Sequence, residues 1–189
     1  TAPDADATIR LSLTVTDDGG ASDSDEVAVT VKAAPSGTTS GDTVFSMLDD
    51  LNAARAVAQT CKYTNGEGLV LEEILPAQPP LQWNDSLAEI AMIHSMDMAR
   101  EGYFAHTSLD GTSMGDRVFQ YWSGTRVGEN IAASSVDRTD AYIVQLWLDS
   151  TGHCALIMDP GFTHAGIGVG RDPGNGYDFH HFWTLDFGG

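Results

Sequence analysis

The stretch LQWNDSLAEIAMIHSMDMA, residues 81–99, decides the fold class of most of this chain. From Asp85 onward its apolar residues recur every three or four positions, which predicts an amphipathic helix with one buried stripe. The stripe consists of Leu87, Ala91, His94 and Met98. A histidine within such a stripe is typical of a buried, hydrogen-bonded residue, so we predict a structural role for His94.

Local signals bound this helix and the segments before it. Ser86 and Glu89 have the spacing of a capping box, and Gly102 is a residue type that ends helices. Upstream, the Gly- and Pro-rich residues 65–80 predict an irregular excursion. Before that excursion, apolar residues at helical spacing predict a first helix from residue 42 to about residue 59.

The period changes again toward the C-terminus. Residues 113–121 and 137–149 are predicted to be helices, whereas residues 165–171 and 177–187 alternate in the manner of strands. Helices followed by antiparallel strands predict an α+β fold in which helices pack on a small sheet.

Three histidines near these strands have ordinary structural interpretations. His180 and His181 would face opposite sides of the last strand, so at most one of them reaches any common site. His164 precedes the strand at residues 165–171. We interpret all three as strand or turn residues rather than functional groups.

The first 32 residues form a separate segment with strand-like alternation. Residues 8–32 contain two alternating runs separated by Thr16-Asp17-Asp18-Gly19-Gly20, which predicts a β-hairpin. A lone hairpin is marginally stable, so its apolar face needs a cover. Either a second copy pairs with it, which is self-association, or the missing strands of a longer natural chain cover it.

The string LTVTDDGGASDSDEVAVTV, residues 13–31, resembles the closing strands of a polycystic kidney disease (PKD) repeat, an immunoglobulin-like sandwich of secreted bacterial proteins. The resemblance implies that residues 1–32 are the C-terminal remnant of such a repeat. Residues 33–41, AAPSGTTSG, have the composition of a flexible linker. Residues 42–189 then form the main domain.

Composition excludes several classes of function. The net charge of −18 would repel phosphate backbones, which makes nucleic acid an unsuitable partner. No apolar run is long enough to cross a bilayer, so no transmembrane segment is predicted. Two cysteines, Cys61 and Cys154, are compatible with a disulfide or with two unrelated buried thiols.

Five short stretches join a polar group to a turn or a helix end. They are FAHT (104–107), VGENIA (127–132), WLDS (147–150), GHC (152–154) and GIGV (166–169). In this order they resemble the CAP superfamily, in particular its bacterial, extracellular, SCP-like branch. The resemblance extends from Leu48 to the end of the chain and implies an α-β-α sandwich with a small central antiparallel sheet.

The resemblance also implies a cleft with two histidines and two acidic residues. By their motifs His106, Glu129 and His153 occupy three of these positions, Glu129 in a Gly-Glu-Asn turn. The fourth position is occupied by Ser150, with Asp149 beside it, which weakens the expected metal site. Similar RTC and GHC segments in related domains imply a disulfide between Cys61, at the end of the first helix, and Cys154.

Two imidazoles and one carboxylate are an ordinary ligand set for Zn²⁺ or another divalent cation. His106, His153 and Glu129 are therefore candidate metal ligands, and an activated water among them would serve hydrolysis. Alternatively, the three residues form a hydrogen-bonded network that braces the surrounding loops. No HExxH segment or GxSxG elbow is present, so the best-known zinc-peptidase and serine-hydrolase motifs are missing.

The family resemblance implies a secreted or cell-surface protein that acts by binding a lipid, a sterol or another extracellular ligand. His106, Glu129, Ser150 and His153 would line the ligand cleft. One alternative is a metal-dependent hydrolase or peptidase that uses His106, Glu129 and His153 as catalytic residues. Another is a structural adhesion module at the cell surface.

Overall fold

The computed structural model describes residues 7–16, 22–31, 44–172, 174 and 176–189, with side chains from residue 46 onward. This part of the chain combines helices and strands, as the α+β prediction requires. In chain order the elements are β1 (Ala7–Thr16), β2 (Ser22–Val31), α1 (Val44–Arg55), β3 (Gln59–Thr64), β4 (Val70–Leu75), β5 (Gln82–Trp83), α2 (Asp85–Glu101), α3 (Met114–Val118), β6 (Val127–Ser134), α4 (Asp140–Asp149), α5 (His153–Ile157), β7 (His164–Arg171) and β8 (His181–Gly188).

The chain divides into two compact units, residues 1–40 and 41–189. In the first unit β1 and β2 pair antiparallel, with Ile9 opposite Val29. Within the described residues they form a two-stranded sheet of their own, so the immunoglobulin-like sandwich of a PKD repeat is not supported. The predicted turn at residues 16–20, apart from Thr16, and the predicted linker at residues 33–41 lie outside the described residues.

The second unit is built on a four-stranded sheet with the order β5-β7-β8-β6. β7, β8 and β6 pair antiparallel, as predicted, whereas the two-residue strand β5 pairs parallel with β7. β6 is therefore an edge strand of this sheet. Neighbouring residues of β6 face opposite sides of the sheet, so this strand presents side chains to the helices on both faces.

Helices cover both faces of this sheet. One face of β7 carries Gly166, Gly168 and Gly170, and a Cβ atom at any of them would overlap backbone atoms of α2. The glycines therefore let α2 lie directly against the sheet. The opposite face packs on α1, α4 and α5 through a core that includes Trp147 and Ile167. The layers are those of an α-β-α sandwich.

The central helix α2 begins and ends close to the predicted positions. Its N-cap is Asn84, whose side chain accepts a hydrogen bond from the Leu87 backbone N–H at 3.0 Å, so the predicted capping box at Ser86 and Glu89 is wrong. An asparagine one residue before the first helical position satisfies the same free N–H groups. Gly102 ends the helix with a φ of 67°, as predicted.

The segment between α1 and α2 differs most from the prediction. Helix α1 ends at Arg55, and the predicted excursion at residues 65–80 contains β4, which pairs antiparallel with β3. The turn between these two strands explains the difference. In this turn the Asn65 side chain accepts hydrogen bonds from the Glu67 and Leu69 backbone N–H groups. Such an Asx turn reverses the chain.

Other boundaries shift by a few residues. The predicted helix at residues 137–149 shortens to α4 because the Thr139 side chain caps its start. The predicted helix at residues 113–121 begins after its N-cap Ser113 but ends early, at Val118. The predicted strand at residues 177–187 begins only at His181, where pairing with β6 and β7 starts.

A disulfide joins Cys61 to Cys154, as the family resemblance implies. Cys61 lies on β3 rather than at the end of the first helix, because that helix ends six residues earlier, at Arg55. Cys154 lies in α5. Both half-cystines are buried in the core between the sheet and the α1, α4 and α5 layer.

We expect replacement of both half-cystines, Cys61→Ser with Cys154→Ser, to lower the free energy of unfolding by about 2–4 kcal/mol. The bond spans 93 residues, so its loss greatly increases the conformational entropy of the unfolded chain. Urea denaturation of oxidised protein, reduced protein and the double variant measures the effect. Equal midpoints for all three would contradict the prediction.

Candidate functional site

Glu129 is the centre of a buried charged network. One of its oxygens, Oε1, lies 2.7 Å from His106 Nδ1, and the other, Oε2, accepts a hydrogen bond of 2.5 Å from Arg117. The side chains of Glu129 and Arg117 are 0% and 6% exposed, whereas that of His106 is 51% exposed. The network therefore connects a solvent-facing imidazole to a buried ion pair.

The protonation state of Glu129 follows from its neighbours. Burial raises the pKa of this carboxyl, but the His106 hydrogen bond and the Arg117 charge outweigh burial, so the pKa lies below its ordinary value. Arg117 also donates two hydrogen bonds, of 3.1 and 3.2 Å, to the His106 carbonyl. Arg117 thus binds both the Glu129 carboxylate and the backbone carbonyl of His106, the residue that Glu129 contacts.

Glu129 lies within β6 and not in a turn, so that part of the prediction is wrong. Gly128, Glu129 and Asn130 pair with β8 at Phe187, Asp186 and Leu185. A glycine in this strand misleads a sequence-based assignment, but a side chain at Gly128 would overlap the Phe162 ring. Close packing rather than turn geometry therefore explains the glycine.

Asp186 is a second buried acid beside Glu129, which it opposes in the β6–β8 register. It is 0% exposed, and neither of its carboxylate oxygens has a hydrogen-bond partner among the described residues. Burial and the adjacent Glu129 charge raise the pKa of Asp186 well above its ordinary value, which favours the protonated form of this acid.

Neither Arg117 nor Asp186 was predicted from the sequence. A signal for Asp186 exists in the run Phe182-Trp183-Thr184-Leu185-Asp186-Phe187, where an acid interrupts an otherwise apolar strand. Arg117 has no comparable signal, because one arginine in a short helix is usually a surface residue.

His153 and Ser150 form the second part of the site. The Ser150 Oγ contacts His153 Nδ1 and lies 3.3 Å from the Trp147 carbonyl oxygen. Both contacts are satisfied when Nδ1–H donates to the hydroxyl and the hydroxyl donates to the carbonyl. Burial, followed by the charge of His106, lowers the pKa of His153, so this imidazole is neutral near pH 7.

Asp149, the neighbour of Ser150, does not contact either histidine. Its carboxylate is exposed and accepts a hydrogen bond of 3.0 Å from the Gln145 side chain, one turn earlier in α4. Ser150 therefore provides the polar group that borders His153.

The two parts of the site meet at the edge strand β6. Glu129 faces the α2 side of the sheet, and its neighbour Asn130 donates a hydrogen bond of 3.3 Å to the His153 carbonyl in α5. The structure thus joins His106 to Glu129 and His153 to Ser150. The two histidines lie close enough that charge on His106 lowers the pKa of His153.

The three predicted metal ligands do not form one ligand set. Both Glu129 oxygens are engaged, by His106 and Arg117, and the described residues contain no group of three His, Cys, Asp or Glu side chains arranged to hold a metal ion. Within the part of the chain that the structure describes, no hydrogen bond engages Nε2 of His106 or Nε2 of His153. Because Glu129 and Ser150 each engage an Nδ1, Nε2 is the ring nitrogen left available for a ligand in both residues.

The other histidines have structural surroundings. His94 is buried, as predicted, and its Nε2 lies 2.9 Å from the Ala105 carbonyl oxygen. His181 Nδ1 lies 3.6 Å from the Asp137 carboxylate, and His164 contacts the Thr163 hydroxyl at 2.8 Å. The His180 backbone N–H donates a hydrogen bond to the Ser134 carbonyl, just before the start of β8.

We expect stability to fall as the pH drops from about 7.5 to about 5.5, because burial lowers the pKa of His94 and His153 below 6.5. Below about pH 6.5 these histidines bind protons in the unfolded chain, whereas in the folded protein they remain neutral until the pH is lower. The variant His94→Gln keeps a donor for the Ala105 carbonyl but does not titrate. Urea denaturation should show a weaker pH dependence for His94→Gln, and an unchanged slope would contradict this.

The comparisons with known proteins agree with this architecture. The family described as "CAP: Cysteine-rich secretory protein family" matches residues 48–187, which is most of the chain. The chain belongs to the CAP family. Among the described residues, no helix of this CAP protein is both long and apolar enough to span a bilayer.

Two relatives each match about half of this chain. The chain is 39% identical over 92 residues to "Uncharacterized membrane protein YlbC" and 37% identical over 90 residues to "Uncharacterized protein YkwD", both of Bacillus subtilis. These matches cover 48% and 47% of this chain but only 26% and 34% of the relatives, so the chain spans a minor part of their length.

A solved structure is also similar, an extracellular protein containing an SCP domain from Bacillus anthracis. It is 32% identical to this CAP protein, with a TM-score of 0.45. The match covers 59% of this chain and 34% of that one.

Proposed function

We propose that this CAP protein is secreted or held at the cell surface and acts by binding an extracellular ligand in the cleft at His106 and His153. A lipid or another molecule with oxygen donors is the expected ligand. We also propose that the cleft binds a divalent cation such as Zn²⁺ weakly. The supporting observation is that protein oxygens engage Nδ1 of each ring, which leaves both Nε2 lone pairs available.

The arrangement of Glu129 favours this proposal over a purely structural network. A carboxylate that binds the far nitrogen of a histidine fixes the ring orientation and increases its basicity, as in carboxylate–histidine–metal triads. Ser150 has the same orienting position on His153. With two imidazole donors, water or ligand oxygens would complete the coordination, and a cation would supply Lewis acidity toward the ligand.

We expect excess Zn²⁺ to bind the full chain, and both His106→Ala and His153→Ala to weaken that binding by at least about tenfold. Isothermal titration calorimetry at about pH 7.5 measures the binding. The matched control is His164→Ala, because His164 lies in β7 and contacts Thr163 rather than the cleft. Equal zinc affinity in all four proteins, or no zinc binding at all, would overturn the cation proposal.

A further inference from the structure

A groove of about 750 Å³ lies between α2 and the segment at residues 108–117. His106, Glu129 and His153 do not line it, although Arg117, which binds Glu129, does. Its apolar walls are formed by Ile90, Met92, Ile93 and Met96 of α2 and by Leu109 on the opposite side. Its volume is within the range of small-ligand sites, which is 300 to about 1,000 Å³.

The apolar side chains of this groove are unusually accessible. Met92, Ile93 and Leu109 are 39%, 45% and 65% exposed. Three large apolar side chains around one concavity are typical of a binding surface rather than of scattered surface residues. Methionine adapts its shape to different apolar groups, which suits recognition of a side chain.

The wall formed by residues 108–112 is held in place by its own hydrogen bonds. The Ser108 N–H donates to the Thr112 carbonyl at 3.0 Å, and the Gly111 N–H donates to the Ser108 carbonyl at 2.9 Å. Arg117 donates to the Ser108 hydroxyl at 3.3 Å. The groove is therefore preformed, and a ligand does not pay the entropy of ordering this wall.

The rim of the groove is acidic. Asp97, Glu101 and Asp110 line it against a single exposed cation, Arg100. Among the described residues none of the three acids forms a salt bridge. The Thr112 backbone N–H lowers the pKa of Asp110, which keeps this carboxylate ionised. Together with the net charge of −18, the rim favours a cationic ligand over an anionic one.

Two residues that line the groove each carry a buried nitrogen without a hydrogen-bond partner among the described residues. They are His94 Nδ1 and Arg117 Nε. Because His94 Nε2 donates to the Ala105 carbonyl, Nδ1 is an acceptor, whereas Arg117 Nε–H is a donor. A peptide group carries one donor and one acceptor, and it can reach such a pair of nitrogens through trapped water.

We propose that this groove binds a short peptide segment in which apolar side chains are flanked by lysine or arginine. The apolar walls take the aliphatic side chains, and the acidic rim takes the basic ones. A fatty acid fits less well, because its carboxylate would meet the acidic rim. This site goes beyond the proposed function, because it uses neither His106 nor His153.

The test is a titration of the full chain with two matched peptides, acetylated and amidated, of sequence lysine-leucine-leucine-lysine and glutamate-leucine-leucine-glutamate. We expect the lysine peptide to bind at least about tenfold more tightly at low salt, and its affinity to fall as salt screens the rim. Equal affinities, tighter binding of the glutamate peptide, or no detectable binding of the lysine peptide would overturn the proposal.

Variants locate the site. Ile93→Ser and Leu109→Ser replace exposed side chains, so the fold should persist, and we expect each to weaken the lysine peptide by about tenfold. Ile74→Ser is the matched control, because Ile74 is 73% exposed but lies on β4. His106→Ala should leave the affinity unchanged. Loss of binding in His106→Ala, but not in the groove variants, would assign the peptide to the cleft and refute this inference while leaving the proposed function intact.

Discussion

Replacing Arg55 with methionine is expected to lower the free energy of unfolding by about 3–5 kcal/mol. Arg55 is 1% exposed and lies at the end of α1. Its guanidinium donates to the backbone carbonyls of Pro79, Ile157, Asp159 and Phe162. Removing it leaves several buried acceptors unsatisfied, and urea denaturation measures the loss.

Two controls separate this effect from the loss of a positive charge. Arg55→Lys keeps the charge but cannot reach four carbonyls with one ammonium group, so we expect it to recover only part of the loss. Arg171→Met removes an arginine whose side chain is 56% exposed and pairs with Asp137 at the surface. That change should cost at most about 1 kcal/mol. A cost for Arg55→Met as small as that for Arg171→Met would refute the anchoring role.

We expect Arg117→Met to destabilise the protein by about 3–5 kcal/mol, because it leaves the Glu129 carboxylate buried without its countercharge. The side chains of this pair are 6% and 0% exposed. Asp186 lies beside Glu129, so the variant would place two carboxyl groups together without a cation. Thermal and urea unfolding measure the effect.

A double variant tests whether the loss comes from the uncompensated charge. Arg117→Met combined with Glu129→Met removes both charges and should be less destabilised than the sum of the two single variants. We expect the double variant to recover at least about 1 kcal/mol relative to that sum. Strict additivity would contradict the buried ion pair as the cause. Ile74→Ser, an exposed change on β4, provides a baseline for a neutral substitution.

Much of the fold was predictable from local patterns. The helical stripe of residues 87–98 predicted α2, and Gly102 predicted its end, because helical spacing and a left-handed cap are properties of consecutive residues. The same reasoning failed at β3 and β4. β4 is exposed along almost its whole length, and β3 buries only Cys61, so neither strand shows the alternation on which strand prediction depends.

The candidate site was predictable only in part. Family motifs identified His106, Glu129, Ser150 and His153, and the disulfide between Cys61 and Cys154 is present. The motifs did not indicate that both Glu129 oxygens are engaged by His106 and Arg117 and are therefore not available to a metal ion. A glutamate in a sequence motif can bind a metal ion or pair with another side chain. Which of the two it does depends on the groups that surround it in the folded protein.

The amino-acid sequence by itself determined the α+β class, the central helix and the membership of the CAP family, since periodicity and ordered motifs are read along the chain. Only the tertiary structure decided that Arg117 neutralises Glu129, that Asp186 is buried opposite it and that Arg55 binds four carbonyls. These contacts join residues far apart in sequence. Whether a polar group is paired or unpaired depends on burial and on the distance to its neighbours, which only the packed chain defines.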